Sequence, residues 1–336
     1  MEYRILGKTG LKISRMGFGG IPIQKTSAEE TKTLIRFLME QGVNYIDTAR
    51  GYTVSEEYLG YALEGIRDRF VIATKSMART KEAMEKDISI SMKNLRTDYI
   101  DLYQVHNPTA KDLEQVLAPG GALEALQEAK AAGKIGHIGA TAHGLEAFER
   151  LIREYEDKIE TMMFPYSIVE NQAAELMKEC KEKNIGFISM KPVAGGNIDN
   201  VKLALRYILN SPDCTIVIPG MGNAEEVRQN ASEEVFMPLS EEDKVECAKI
   251  QKELGSEFCR RCGYCAPCPQ GINIPSALLF ANYKRKYGLA EWAASRYATL
   301  DKTASDCVKC GLCETRCPYN LPIRKMLASA AELMGK

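Results

Sequence analysis

The chain has 336 residues and 37.4 kDa, room for one large domain and a small one, and its 45% apolar fraction is that of an ordinary globular core. A formal charge of −1 excludes a global field for nucleic acid or anionic membrane. No apolar run approaches the ~18 residues of a membrane span, and the opening MEYRILGKTG lacks the basic start and apolar stretch of a signal peptide, so a soluble, cytoplasmic protein is expected.

In chain order, Tyr3–Leu6 turns through Gly7–Gly10 into Leu11–Ser14, a hairpin expected to plug the bottom of the large domain. Eight β-branched or apolar runs then predict strands at 16–19, 45–47, 70–75, 100–106, 137–141, 161–165, 186–190 and 215–219. Amphipathic helical patterns separate them, among them 27–41, 81–95, 121–132 and 171–184. Start and stop signals frame these helices, such as Thr26-Ser27 before the first and Gly42 and Gly133 after two of them. Eight strand–helix units in about 235 residues fit an α/β (β/α)8 barrel better than an open sheet.

Composition shifts near Met237-Pro238-Leu239-Ser240. Ser240 before Glu241, Glu242 and Asp243 reads as a helix N-cap with anions at the positive helix end. The expected organisation is a barrel over 1–238, a connecting helix over 239–255 and a small, mainly helical cysteine module over 256–336. One helical stretch is expected from Ser276 to about Leu300.

Of eleven cysteines, eight fall between Cys259 and Cys317. At this spacing in a reducing compartment they read as metal ligands, not disulfides; Cys180, Cys214 and Cys247 read as inert buried thiols. The module repeats itself: Cys259, Cys262, Cys265 and Cys268 precede Pro269, and Cys307, Cys310, Cys313 and Cys317 precede Pro318. The second run is C-x2-C-x2-C-x3-C-P, in which three thiolates wrap one [4Fe–4S] cluster and the fourth reaches the other. The expected sets are Cys259, Cys262, Cys265 and Cys317 for one cluster, and Cys307, Cys310, Cys313 and Cys268 for the second. Paired C-x2-C motifs also suit zinc, but near-continuous x2 spacing closing on Cys-Pro fits cubanes better. Over about 65 residues the module resembles two-cluster ferredoxins, of the α-helical kind, although its first run has two residues, not three, before the fourth cysteine. Arg260, Arg261, Lys309 and Arg316 lie among the ligands, where they would raise the cluster potentials, dock an acidic electron-transfer partner, or simply form a solvated surface.

Four polar residues fall at or just beyond predicted strand ends, where barrel enzymes keep their chemistry: Asp47, Tyr52, Lys75 and His106. With Arg4-Ile-Leu-Gly-Lys-Thr-Gly-Leu11, Gly133-Lys-Ile-Gly-His-Ile-Gly139 and Ile218-Pro-Gly220, they resemble the aldo-keto reductase family over about residues 1–235. The resemblance implies carbonyl–alcohol interconversion by hydride transfer on a small-molecule substrate. A phenol near pKa 10 is a weak acid at neutral pH. A nearby Lys75 ammonium would favour the phenolate of Tyr52, Asp47 would hold the lysine, and His106 would orient the substrate oxygen. His137 and His143 read as structural.

The family's hydride donor is NAD(P)H, and the residues implied for it depart from the family pattern. Where family members hold the carboxamide with Asn and Gln, this chain has Thr141-Ala142 and Met163. Met190, followed by Pro192, stands where an aromatic ring stacks on the nicotinamide. Gly19, Gly220, Gly222, Asn223 and Asn230 complete the implied cofactor set. Glu226 stands where an arginine would clasp the 2′-phosphate, so NADPH preference is expected to be lost, although the N–H groups of 220–223 would still suit a phosphate. Hydride moves two electrons and a cubane takes one. Three functions therefore stay open: a carbonyl reductase with structural clusters, a cluster-coupled enzyme using a flavin or direct electron transfer, and a non-catalytic electron-transfer or docking subunit.

Overall fold

The computed structural model describes every residue except 256, 257, 262 and 336, and the side chain of residue 287. The chain divides into two compact units: Met1–Ser167, Asn171–Pro192 and Asn200–Ser240 form one, and Ile168–Glu170, Val193–Asp199 and Glu241–Lys336 the other.

The first unit opens with the antiparallel hairpin β1 (Tyr3–Ile5) and β2 (Lys12–Ser14), Arg4 opposite Ile13. Eight strands come next: β3 (Phe18–Gly19), β4 (Tyr45–Asp47), β5 (Val71–Ser76), β6 (Ile100–Val105), β7 (Ile135–Thr141), β8 (Thr161–Pro165), β9 (Gly186–Met190) and β10 (Ile216–Ile218). They lie in sequence order, all parallel. Parallel bridges Met16–Val217 and Gly19–Gly220 join the first strand to the last. Gly17 N–H donates to the Val217 carbonyl and Gly19 N–H to the Pro219 carbonyl, each at 2.9 Å. A Cβ on Gly19 would sit 3.1 Å from two carbonyl oxygens of that seam, so glycine is what allows the close approach.

Helices α1 (Ala28–Glu40), α2 (Ser55–Ala62), α3 (Lys81–Leu95), α4 (Asp112–Leu117), α5 (Ala122–Ala131), α6 (Leu145–Glu154), α7 (Ala174–Glu182), α8 (Val201–Leu209) and α9 (Ala224–Asn230) occupy the crossovers. The α1 start is a capping box: Ser27 Oγ accepts the Glu30 N–H at 3.2 Å while Glu30 accepts the Ser27 N–H at 2.7 Å. Its Leu34, Ile35 and Leu38 stripe is buried, and Gly42 at φ +79° comes just after its end.

Six of the eight strands feed two cores in alternation. Tyr45, Ala73, Leu102, Met163, Ile188 and Ile216 pack inside the barrel, together with Leu6 and Ile13 of the hairpin. Their sequence neighbours Ile46, Ile72, Tyr103, Met162, Phe187 and Val217 pack outward against the helices. Since side chains alternate with period two, the inward positions next along β4, β5 and β6 are Asp47, Lys75 and Gln104. The hairpin closes the opposite end, where Lys8 N–H donates to the Asn184 carbonyl at 2.7 Å, just before β9.

The second unit contains α10 (Glu241–Gly255), α11 (Ile274–Tyr287), α12 (Ala290–Tyr297), α13 (Leu312–Thr315) and α14 (Ile323–Met334). The single helix expected over 276–300 is two. Gly288 adopts the left-handed conformation (φ +59°) and ends α11. The start also lies earlier than expected, because Asn273 caps the Ser276 N–H at 3.2 Å. Ile272, Ile274, Ala277, Leu321 and Leu327 form the unit's apolar core, and Cys265, Cys313 and Cys317 belong to it.

Candidate active site

Asp47, Lys75 and Gln104 meet at the C-terminal ends of β4, β5 and β6. Lys75 Nζ donates to Asp47 Oδ1 and, at 2.8 Å, to the Thr48 carbonyl. Gln104 Nε2 donates to the other carboxylate oxygen, Oδ2, at 3.2 Å. All three side chains are buried. Burial pulls the Lys75 ammonium below its ordinary pKa against the opposing pull of Asp47 and Glu56, and burial raises Asp47 against Lys75 and Gln104. Each charge is therefore held by the other in a place hostile to both.

Tyr52 reaches this pair from the loop after β4. Lys75 Nζ stands 4.9 Å from the centroid of its ring, and the His106 ring lies edge-on to it at 6.3 Å. The loop is fixed from behind. Arg50 N–H donates to the Lys75 carbonyl at 3.0 Å and Tyr52 N–H to the Ala49 carbonyl at 3.0 Å. Thr53, a β-branched residue at φ +39°, bonds Gln24 at 2.9 Å. Below them the buried Glu56 carboxylate pairs with Arg50 and accepts from Thr74 and Ser91 at 2.8 Å each.

His106 sits directly after β6, its N–H bonded to the Ser76 carbonyl at 2.8 Å. Burial, then the cations Lys75, Arg79 and Lys191, hold its imidazole well below the usual histidine pKa. The ring is thus neutral at neutral pH and offers one N–H. Sequence patterning singled out Asp47, Tyr52, Lys75 and His106 but not Gln104, whose signal is parity: it lies two residues beyond inward-facing Leu102 and two before His106.

His137 bonds Glu160 at 2.7 Å at the start of the barrel wall; burial raises the Glu160 pKa, but His137, Lys130 and the Ile138 N–H outweigh it and bring it down to about 2. The His143 N–H donates to Asn107 Oδ1 at 3.1 Å. Cys180, Cys214 and Cys247 are buried, and burial raises the Cys214 thiol to about 12.

Several of the residues implied for a dinucleotide are packed or bonded within the chain itself. Met163 is buried in the barrel core and Met190 packs against that core; Pro192 lies beyond Met190 in the same unit. Thr141 Oγ1 accepts the Asn107 N–H at 2.9 Å. A Cβ on Gly220 would meet Pro22 at 2.9 Å. The Gly222 N–H, suited by sequence to a phosphate, donates instead to Glu226 Oε2 at 2.7 Å. Asn223 Oδ1 caps α9 through the Glu226 N–H at 2.9 Å, and Asn230 is buried.

In the second unit Cys268, Cys307, Cys310 and Cys313 line one cavity. Cys265 and Cys317 lie in the apolar core, with Cys259 packed against it; Cys262 lies outside the described residues. Among the described residues no three His, Cys, Asp or Glu side chains converge at metal-ligating reach. Four thiols on one cavity are nevertheless the donor set of a cubane. Three of the interspersed cations belong to the unit's own framework. Arg260 is buried, donates to the Val169 and Gly255 carbonyls at 3.0 and 2.9 Å and stacks 4.0 Å over Tyr319. Arg261 pairs with buried Glu170 at 2.8 Å, and Arg316 donates to the Pro267 carbonyl at 2.8 Å. Lys309 is exposed.

Residues 15–203 match the Aldo/keto reductase family, and residues 258–322 match a 4Fe-4S dicluster domain. L-galactose dehydrogenase of Arabidopsis thaliana is 26% identical over 282 residues, covering 69% of this chain and 88% of that protein. Aldo-keto reductase YhdN of Bacillus subtilis is 32% identical over 198 residues, 52% of this chain and 56% of that one. The holo form of aldo-keto reductase AKR11C1 from Bacillus halodurans shares the fold with a TM-score of 0.65 at 26% identity, covering 74% of this chain and 96% of the other. An aldo/keto reductase from Klebsiella pneumoniae solved with NADP and acetate, at 22% identity and TM-score 0.65, shares the fold over 75% of this chain and 96% of its own.

Proposed function

Because the chain belongs to the aldo/keto reductase family and carries a 4Fe-4S dicluster domain, we propose that its barrel interconverts carbonyl and alcohol groups of a small molecule, with Tyr52 as general acid and base. The observation that carries this reading is the buried Lys75 ammonium, locked by Asp47 and the Thr48 carbonyl with the Tyr52 ring 4.9 Å away. A bound nicotinamide supplies the hydride.

Tyr52 gives its proton to the carbonyl oxygen, and the phenolate left behind is stabilised by the adjacent Lys75 charge. Neutral His106 donates a hydrogen bond to the same oxygen and orients it. Asp47 keeps Lys75 charged and aimed, and Gln104 keeps Asp47 from turning. In the oxidative direction the Tyr52 phenolate takes the alcohol proton back.

The adenine end does not fit a 2′-phosphate. Glu226 already accepts the Gly222 N–H, and a second anion beside that carboxylate is repelled. NADH is accordingly the favoured donor over NADPH. Turnover of an aldehyde panel with each nucleotide tests this, and a strong NADPH preference defeats it. Tyr52→Phe should lose about 10²–10⁴ of carbonyl turnover; full activity in that variant rejects the assignment, whereas no turnover in the unaltered chain favours a docking subunit.

For the second unit we propose two [4Fe–4S] clusters with crossed ligands, one held by Cys268, Cys307, Cys310 and Cys313, the other by Cys259, Cys262, Cys265 and Cys317. The shared cavity of the first set supports it. Anaerobic iron analysis should give about eight irons per chain. That lining also favours a second reading, in which the clusters pass electrons to a flavin, the substrate or a partner protein. A flavin band after denaturation would support the flavin form of it.

A further inference from the structure

The second unit holds a cavity of about 260 Å³ between α11, α14 and residues 258–261. Arg261, Arg285 and Lys325 line it, and among the described residues no aspartate or glutamate does. Its remaining wall includes the apolar side chains of Leu278 and Met326.

The placement of two of these cations is not explained by the unit's own charges. Arg261 is held by Glu170, but among the described residues neither Arg285 nor Lys325 forms an ion pair. Arg285 donates to the neutral Ser329 hydroxyl at 2.9 Å. Lys325 sits in the first turn of α14, where exposed amide groups already make the helix end positive and a cation is unfavourable. That turn contains no acidic residue. Its neighbour Arg324 is neutralised by Glu314 at 2.7 Å; Lys325 is not.

Positive charge gathered around a partly apolar cavity calls for an anion with a hydrocarbon part. We propose that this cavity binds a small organic anion, a carboxylate or phosphate monoester on an apolar body. The volume lies just under the ~300–1,000 Å³ of drug-sized sites, which suits a small anion. Cys259 lines the same cavity, so the occupant touches the cysteine module itself.

The test uses the full chain with its iron–sulfur centres assembled. Benzoate and phenyl phosphate are titrated calorimetrically, with benzylamine and benzyl alcohol as cationic and neutral counterparts. At least one anion should bind, and neither counterpart should match it. Arg285→Glu and Lys325→Glu, both at exposed side chains, should each weaken that binding about tenfold or more without changing the melting temperature. Benzoate alone assigns the carboxylate class, and phenyl phosphate alone the phosphate class. Failure of both anions to bind, equal binding of the counterparts, or unchanged affinity in both variants overturns the proposal. None of these outcomes bears on Tyr52, so the barrel's activity stands or falls separately.

Discussion

The two sides of the barrel's site are built on different physics. On β4, β5 and β6 the inward strand ends carry Asp47, Lys75 and Gln104, which satisfy one another out of water. On β8 and β9 the corresponding side carries Met163 and Met190, which pack with the barrel core. After β10 the backbone donor of Gly222 is taken by the chain's own Glu226. The first side is an interdependent set of charges, in which removing one member strands another. The second is held by packing and one local carboxylate, and such positions accept exchange at modest cost.

Lys75→Met should break the polar side most severely. Loss of the cation beside Tyr52 is expected to lower carbonyl turnover about 10²–10⁴-fold, and stranding Asp47 should cost about 3–5 kcal/mol. Urea unfolding separates the two effects. The double variant Asp47→Asn, Lys75→Met should regain most of the stability and none of the turnover; an active double variant would refute the role given to Lys75.

Gln104→Leu removes a hydrogen bond to a charged group, about 1.5–3 kcal/mol in the same unfolding measurement. A neutral result would mean that Asp47 needs no second anchor. On the other side, Glu226→Arg frees the Gly222 N–H and supplies a cation. The ratio of kcat/KM for NADPH over NADH should rise about tenfold, and an unchanged ratio would place cofactor choice elsewhere.

The smallest expected effect is His106→Gln. Burial and three cations hold the folded-state pKa of His106 below the unfolded value near 6.5, so below that pH the unfolded chain binds a proton the folded one resists. Its contribution is complete above the unfolded pKa and lost as pH falls through it, about 0.7 kcal/mol between pH 7 and pH 6. The variant should show that much less acid sensitivity; identical pH slopes would contradict the buried neutral ring.

Much of this was legible in the residues. The strands at 45–47, 161–165 and 186–190 have the bounds expected of them, because barrel strands are short apolar runs framed by turn residues. The grouping of Asp47 with Lys75 came from their common place at strand ends. What stayed hidden depends on register or on a dihedral. Gln104 reaches Asp47 across an intervening strand, a relation visible only once β4, β5 and β6 are aligned. Glu226 was expected to face a ligand phosphate, yet a helix-capping geometry turns it onto Gly222, and nothing in residue order dictates that. Likewise Gly288 looks like a tolerated glycine inside a helix until its positive φ makes it a break. Arg260 and Arg261 look like surface charge because their partners, Val169 and Glu170, lie some 90 positions upstream.

The seam that joins Met16 and Gly19 to Val217 and Gly220 has a consequence for how the protein is made. At a ribosomal rate of 5–20 residues per second, the partner of the first barrel strand is polymerised about 10–40 s after that strand. Until then the edge of β3 is an unpaired template, and so is each newest strand on the growing side. The nascent chain therefore carries an open sheet edge until residue 220 has emerged.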